Sequence, residues 1–390
     1  MDAAVHVLMF PWPRQGHINP MLHFATALVD AGVQVTFLHT EHNLRHLAQA
    51  PLPPRLRLLS IPDGLPDDHP RSFLELLESM CTTSSAAYRA LLLSANAPVT
   101  CVVADGTMPF AIDIAEELGI PALAFATHGA WSYLALLYMP KLGELGESPF
   151  PADDPVCSVP GMEGFLRRRD LPRDYYARSH CVTHKRCLRH RPTARQVEVR
   201  RKRKSLWQED DGCMAWLDGH EDRSVVYVSL GSRAVITHEQ FTEFLSGLVA
   251  TGYAFLWALR PDMVQTTSST LLREAIGAVE GGKARVVEWA PQRDVLRHRA
   301  VGCFLTHAGW NSTLECAMEG VPMVCWPFFS DQRINSRFVG AVWRTGLDMK
   351  DVCDRSVVER TVREAMVSDE IRGVAQAMAQ QLRLDVAEVN

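Results

Sequence analysis

Residues 289–332 read WAPQRDVLRHRAVGCFLTHAGWNSTLECAMEGVPMVCWPFFSDQ, and the pattern of this stretch decides the fold. Short apolar runs alternate with polar residues at the points where strands should end, which is how an α/β protein presents side chains to a bound nucleotide. Val301–Thr306 (VGCFLT) suits a buried parallel strand, and His307-Ala308-Gly309 follows it as a turn. Asn311 or Ser312 is then the expected cap of a helix that runs through Glu319 and ends at Gly320. A helix whose first amides point back at the mouth of a sheet is an anion site, because unpaired N–H groups and the helix dipole both favour a phosphate there. His307, Asn311 and Ser312 are therefore expected to face a diphosphate.

Trp289 follows the run ARVVE (284–288) and precedes Pro291, which holds its indole on a loop where a base can stack. Glu315, one helical turn beyond Asn311, can offer a carboxylate to vicinal ribose hydroxyls. After the expected strand Pro322–Trp326, the loop PFFSDQ sets Asp331 beside Gln332. An acceptor next to an amide that both donates and accepts suits a sugar ring. Taken singly, His307 or Glu315 is more often an ordinary core or surface residue than a ligand; it is their joint order that points to a site.

The whole stretch resembles the signature box of the plant family-1 UDP-sugar glycosyltransferases, unbroken from its first Trp to its closing Asp-Gln. By that resemblance Trp289 stacks on uracil, with Ala290 and Gln292 among the nucleotide contacts, and Glu315 holds the ribose. His307, Asn311 and Ser312 hold the phosphates, and Trp310, Asp331 and Gln332 hold the sugar. The closing Gln is similar to that of glucose-using members, which implies UDP-glucose as donor substrate and no cofactor beside it. The implied fold is α/β of the GT-B type, two Rossmann-like doubly wound domains facing a cleft.

The N-terminal half supplies the second set of candidates. Val5–Phe10 is expected as a strand, Ile18–Ala31 as a helix closed by Gly32, and Val33–His39 as the next strand, a βαβ unit. His17 then sits at the carboxyl end of the first strand, where open sheets keep their chemistry. Val99–Ala104 is a further strand that Asp105 ends, and Thr127 and His128 follow the strand Pro121–Phe125. A histidine near a positioned carboxylate is the minimum equipment for taking a proton from a hydroxyl near neutral pH. GHINP (16–20) and VVADG (102–106) resemble the family's catalytic segments, which makes His17 the base and Asp105 its partner, while Thr127 matches a position that often touches the sugar or its phosphate. Each residue alone is as readily a helix cap.

Farther on, Ser224–Leu230 with Gly231-Ser232 restarts the alternation, and Ser232 at that strand end can bond a phosphate. Thr237 caps a helix to Ala250, and Tyr253–Leu259 is the next strand. The expected domains are 1–172 for the acceptor, 173–205 as a basic linker or insert, and 206–390 for the UDP-sugar. Residues 173–204 hold 12 Lys or Arg against 2 acids and have no helix or strand period. A rearranged solvated segment, a basic nucleic-acid patch, and a metal site at Cys181, His184, Cys187 and His190 are the competing readings, the last with too little chain between its pairs to close an ordinary zinc loop. If the first domain lacks its closing elements here, apolar surface stays exposed.

The totals narrow the class. With 390 residues there is room for two cores, and a net charge of −5 argues against general nucleic-acid binding. Ten cysteines at irregular spacing show no paired framework, the start lacks a basic leader and is cut by Pro11 and Pro13, and no apolar run approaches a membrane span. The expectation is a cytoplasmic, metal-independent monomer whose partners are a UDP-sugar and a small hydrophobic acceptor, with no nucleic acid and no membrane insertion. The competing expectations are an impaired homologue that binds UDP-sugar without transfer, and an epimerase or hydrolase on the same architecture.

Overall fold

A computed structural model of the chain describes residues 5–47, 53–94, 98–147, 153–171, 209–210, 212–265, 277, 282–349 and 352–389. The described residues form two compact units, one up to Thr127 and one from His128 onward. The basic segment 173–204, with Cys181, His184, Cys187 and His190, lies outside the described residues.

In the first unit five strands, β1 (His6–Phe10), β2 (Gln34–Thr40), β3 (Leu56–Ile61), β4 (Cys101–Asp105) and β5 (Ala122–Phe125), form a sheet in the order β3-β2-β1-β4-β5. All its pairings are parallel. The continuous apolar runs HVLMF and CVVAD explain this, since a parallel strand is covered on both faces and needs no alternation. Leu8, Phe10, Trp12 and Tyr88 fill one side, and Met9, Ile18, Met21 and Phe37 the other. The strand order reverses between β1 and β4, which places the crevice at their carboxyl ends. At the far edge, Leu123 of β5 is 56% exposed.

The second unit carries β6 (Val225–Ser229), β7 (Ala254–Ala258), β8 (Ala284–Val287), β9 (Val301–Thr306), β10 (Met323–Cys325) and β11 (Gly346–Asp348), again all parallel, in the order β11-β10-β9-β6-β7-β8. Its reversal lies between β6 and β9. Trp257 is fully buried between Phe241 and Phe244 of the helix His238–Thr251. Burial of such a ring stabilises the unit by about 2–3 kcal/mol. That helix begins as the sequence suggests: the Thr237 hydroxyl accepts from the Gln240 amide, and Gln240 Oε1 accepts from the Thr237 amide.

Residues 128–171, counted with the first domain on sequence, pack with the second unit. The helix Ala130–Glu144 is apolar on most sides and buries Ala135, Met139 and Leu142 against Ile334 and Phe338. Trp131 stacks on Phe338 with ring centres 5.6 Å apart. Two helix starts also differ from expectation. The helix holding His17 is Gln15–Asp30, with the Arg14 carbonyl accepting from the His17 and Ile18 amides, so His17 stands in its first turn. The helix after β9 is Trp310–Glu319 with Gly309 as its cap, because extended Gly309 lets the chain turn two or three residues earlier than an Asn311 or Ser312 cap would. Among the described residues, no helix is long and apolar enough to cross a membrane.

Candidate functional site

At the crevice of the first unit three residues meet on one ring nitrogen. His17 Nδ1 lies 2.8 Å from Asp105 Oδ2 and 2.8 Å from Thr127 Oγ1. Asp105 is 1% exposed, and its other oxygen accepts the Thr107 amide at 2.9 Å. Burial works to raise the Asp105 carboxyl, but the His17 charge and hydrogen bond and the Thr107 bonds outweigh it and hold the carboxyl below its usual range. A buried anion fixed at both oxygens sets the ring's rotation and favours a proton on Nδ1, which leaves Nε2 to act as a base.

In the second unit the box residues gather around the ends of β6 and β9. The His307 ring is clamped between two backbone segments: a Cβ at Gly231 would fall 2.4 Å from His307 Nε2, and one at Gly309 2.5 Å from it. Gly231 also has φ +77°, so both space and backbone demand glycine there. Burial, and then the Arg260 charge, push the His307 pKa down to about 4, partly offset by a hydrogen bond with the Ser229 backbone. Half-buried Ser232 follows Gly231. Asn311 and Ser312 occupy the second and third positions of the helix Trp310–Glu319, among the amides that no earlier turn can satisfy.

The nucleoside candidates form a connected set. Gln292 Nε2 donates to Ser312 Oγ at 2.9 Å and to Glu315 Oε2 at 2.7 Å, and Tyr227 donates to Gln292 Oε1 at 3.4 Å. Burial raises the Glu315 carboxyl, opposed by Gln292 and Arg293. Trp289 is half-buried with its carbonyl accepting the Asp210 amide, and Ala290 next to it is buried. Trp310 lies on Gly129, where a Cβ would come within 2.9 Å of its ring. Asp331 and Gln332 are both buried, and Gln332 Oε1 accepts the Phe328 and Phe329 amides at 2.9 and 3.1 Å, which turns its NH2 end away from that loop.

Sequence reading missed several supports. Arg260, 2% exposed, donates to the Gly231 and Ala234 carbonyls at 3.1 Å each and so fixes the loop that carries Ser232. A cation straight after a buried apolar strand was its signal. Tyr227, hidden within an apolar run, gave none. Among the described residues no cluster of His, Cys, Asp or Glu could hold a metal ion.

Comparison with known proteins agrees with this geometry. The profile described as UDP-glucoronosyl and UDP-glucosyl transferase matches residues 205–370. The chain is 42% identical to a myricetin 3-O-rhamnoside 1,2-glucosyltransferase of Crocosmia x crocosmiiflora, over 94% of this chain and 88% of that one. It is 38% identical to a 7-deoxyloganetic acid glucosyltransferase of Catharanthus roseus, over 99% of this chain and 95% of the relative. That alignment spans 458 residues against 390 here, so this chain lacks segments the relative has. The crystal structure of Os79 from O. sativa in complex with UDP matches with a TM-score of 0.75 and 26% identity, covering 96% of this chain and 95% of that one. With this fold, these crevices and these relatives, the chain belongs to the plant family-1 UDP-glycosyltransferases and is a glycosyltransferase of GT-B fold.

Proposed function

We propose that the chain transfers glucose from UDP-glucose, with inversion at the anomeric carbon, to a hydroxyl or carboxyl group of a small lipophilic acceptor. The observation that carries this reading is the His17 ring held at 2.8 Å on the buried Asp105. His17 Nε2 takes the acceptor's proton as the acceptor oxygen bonds to the anomeric carbon, and the bond from that carbon to the diphosphate breaks with its electron pair leaving on UDP. Asp105 stabilises the imidazolium so formed. Thr127, on the same ring nitrogen, helps to hold the ring in place.

On the donor side, Trp289, with Ala290 and Gln292, takes the uracil, and Glu315 takes the ribose hydroxyls. Ser232, His307 and the amides of Asn311 and Ser312 stabilise the charge that grows on the departing diphosphate. Trp310, Asp331 and Gln332 take the hexose. The relatives named for glucosyl transfer support glucose as the sugar. The reading includes no metal, since amides and the helix end supply the stabilisation, and chelation by EDTA is expected to leave the rate unchanged.

The test is incubation with UDP-glucose and a library of phenolic and terpenoid acceptors, with product anomers assigned by NMR. Wild type is expected to give a β-glucoside and His17→Ala almost none; equal yields would remove His17 from the role of base. UDP binding with no turnover on any acceptor would leave an impaired homologue. UDP release in buffer alone, at a rate indifferent to acceptors, would indicate hydrolysis.

A further inference from the structure

Behind the hexose candidates stands a residue outside the signature box, Asn335, in the helix Gln332–Arg337. It is 2% exposed, and every polar atom of its side chain is engaged. Nδ2 donates to the Ala308 carbonyl at 2.9 Å and to Asp331 Oδ2 at 2.9 Å, while Oδ1 accepts from the Ser132 hydroxyl at 2.9 Å. Two of these partners, a carbonyl and a carboxylate, can only accept, so the amide has one permitted orientation. Its two N–H groups therefore link the left-handed turn at Ala308, φ +59°, with the carboxylate of Asp331.

We infer that Asn335 is a positioning residue for recognition of the donor hexose: it fixes which Asp331 oxygen faces the sugar, and Ser132 locks the amide that does so. The inference rests on the reading of Asp331 as a sugar ligand. Oδ2 is committed to Asn335, which leaves Oδ1 as the oxygen that receives a sugar hydroxyl. The Ala308 bond acts mainly as the amide's anchor, because that turn has a second support in the Thr306 hydroxyl, which the Ala308 amide approaches at 3.4 Å. Loss of Asn335 therefore acts on the sugar more than on the nucleotide. A rotated carboxylate misplaces one hydroxyl of the hexose, and misplacements of that order cost up to about 100-fold in rate.

The experiment compares UDP-glucose with UDP on the full chain and its Asn335→Ala, Asn335→Asp, Ser132→Ala, Asp331→Ala and Asp331→Ala/Asn335→Ala variants. Asn335→Ala and the nearly isosteric Asn335→Asp are expected to raise KM for UDP-glucose roughly 10-fold or more. The inhibition constant of UDP should stay within about threefold, which also reports a folded nucleotide site. Ser132→Ala should move KM the same way by a smaller factor, and the double variant should lose no more than Asp331→Ala alone, as residues acting through one another do. Equal weakening of UDP and UDP-glucose, or a double variant that multiplies the two single losses, would overturn the inference. If Asp331→Ala leaves KM for UDP-glucose unchanged, the sugar assignment itself fails; if it raises KM while the Asn335 variants do not, only the role of Asn335 falls. Should Asn335→Ala not fold, Asn335→Asp and Ser132→Ala carry the same comparison.

Discussion

At the reversal of the first sheet the candidate groups are side chains drawn from three distant places, His17, Asp105 and Thr127, all meeting on one ring nitrogen. At the reversal of the second sheet most of the groups come from one stretch, residues 289–332, and much of what they offer is backbone: amides at a helix start and glycine clearances around His307. The difference follows from the tasks proposed for each. Moving a proton needs a basic atom of fixed direction, which only a supported side chain supplies. Holding a diphosphate needs several N–H donors at fixed spacing, which a turn leading into a helix supplies for nothing more than the right local sequence.

Substitutions can break this contrast. Asp105→Asn keeps the shape at the first reversal but removes the anion that orients His17, and kcat is expected to fall roughly 10²–10⁴-fold. UDP affinity, measured by calorimetry, should not move; a matching loss of UDP binding would mean that Asp105 supports the nucleotide site instead. Gly231→Ala attacks the second reversal through its backbone. The new Cβ must enter a space 2.4 Å from His307 Nε2 at φ +77°, so a destabilisation of about 2–3 kcal/mol is expected, together with weaker UDP binding. An unchanged melting temperature would show that the His307 clamp is not rigid.

The same contrast explains what could be read from the chain. β9 is legible to the residue, and the box around it is contiguous, so its order of residues could carry a family resemblance. The His17–Asp105 contact joins residues far apart in sequence, and without the resemblance each was as readily a cap. The helix starts at Gln15 and Trp310 were misplaced because Arg14 and Gly309 cap through backbone alone, with no side-chain bond to advertise them. Asn335 and Ser132 were not singled out, since a buried amide declares itself only through its partners.

A milder change sharpens the comparison within the donor set. Gln292 ties Ser312 to Glu315 and accepts from Tyr227, so Gln292→Ala removes three bonds, one of them to a half-buried carboxylate. UDP affinity should fall by about 1.5–3 kcal/mol by calorimetry, the range for a hydrogen bond to a charged group. Turnover at saturating UDP-glucose should change less than binding, the reverse of the Asp105→Asn pattern. A fall in kcat with UDP affinity intact would assign Gln292 to the transition state and blur the division between the two crevices.

The smallest effect concerns acid. Each unit holds a histidine kept neutral well below pH 6.5: buried His39 in β2, pushed down to about 4 by burial, and half-buried His307, pushed to about 4 by desolvation and then by the Arg260 charge. The unfolded chain binds a proton at each as pH falls below the ordinary value of 6.5, whereas the folded chain resists until about 4. Stability is therefore lost progressively from pH 6.5 toward pH 4, and by pH 5.5 His39 alone accounts for on the order of 1 kcal/mol of that loss. His39→Leu removes this contribution without orphaning a hydrogen bond at Nδ1, which has no partner. Urea unfolding at pH 7.5 and 5.5 should show a smaller acid penalty in the variant than in wild type. UDP should reduce the remaining penalty, since a diphosphate beside His307 favours its charged form and lets the folded chain take up the proton it otherwise refuses. A penalty equal in both proteins would mean that His39 gains its proton in the folded state, and that the first sheet is wetter at β2 than its packing implies.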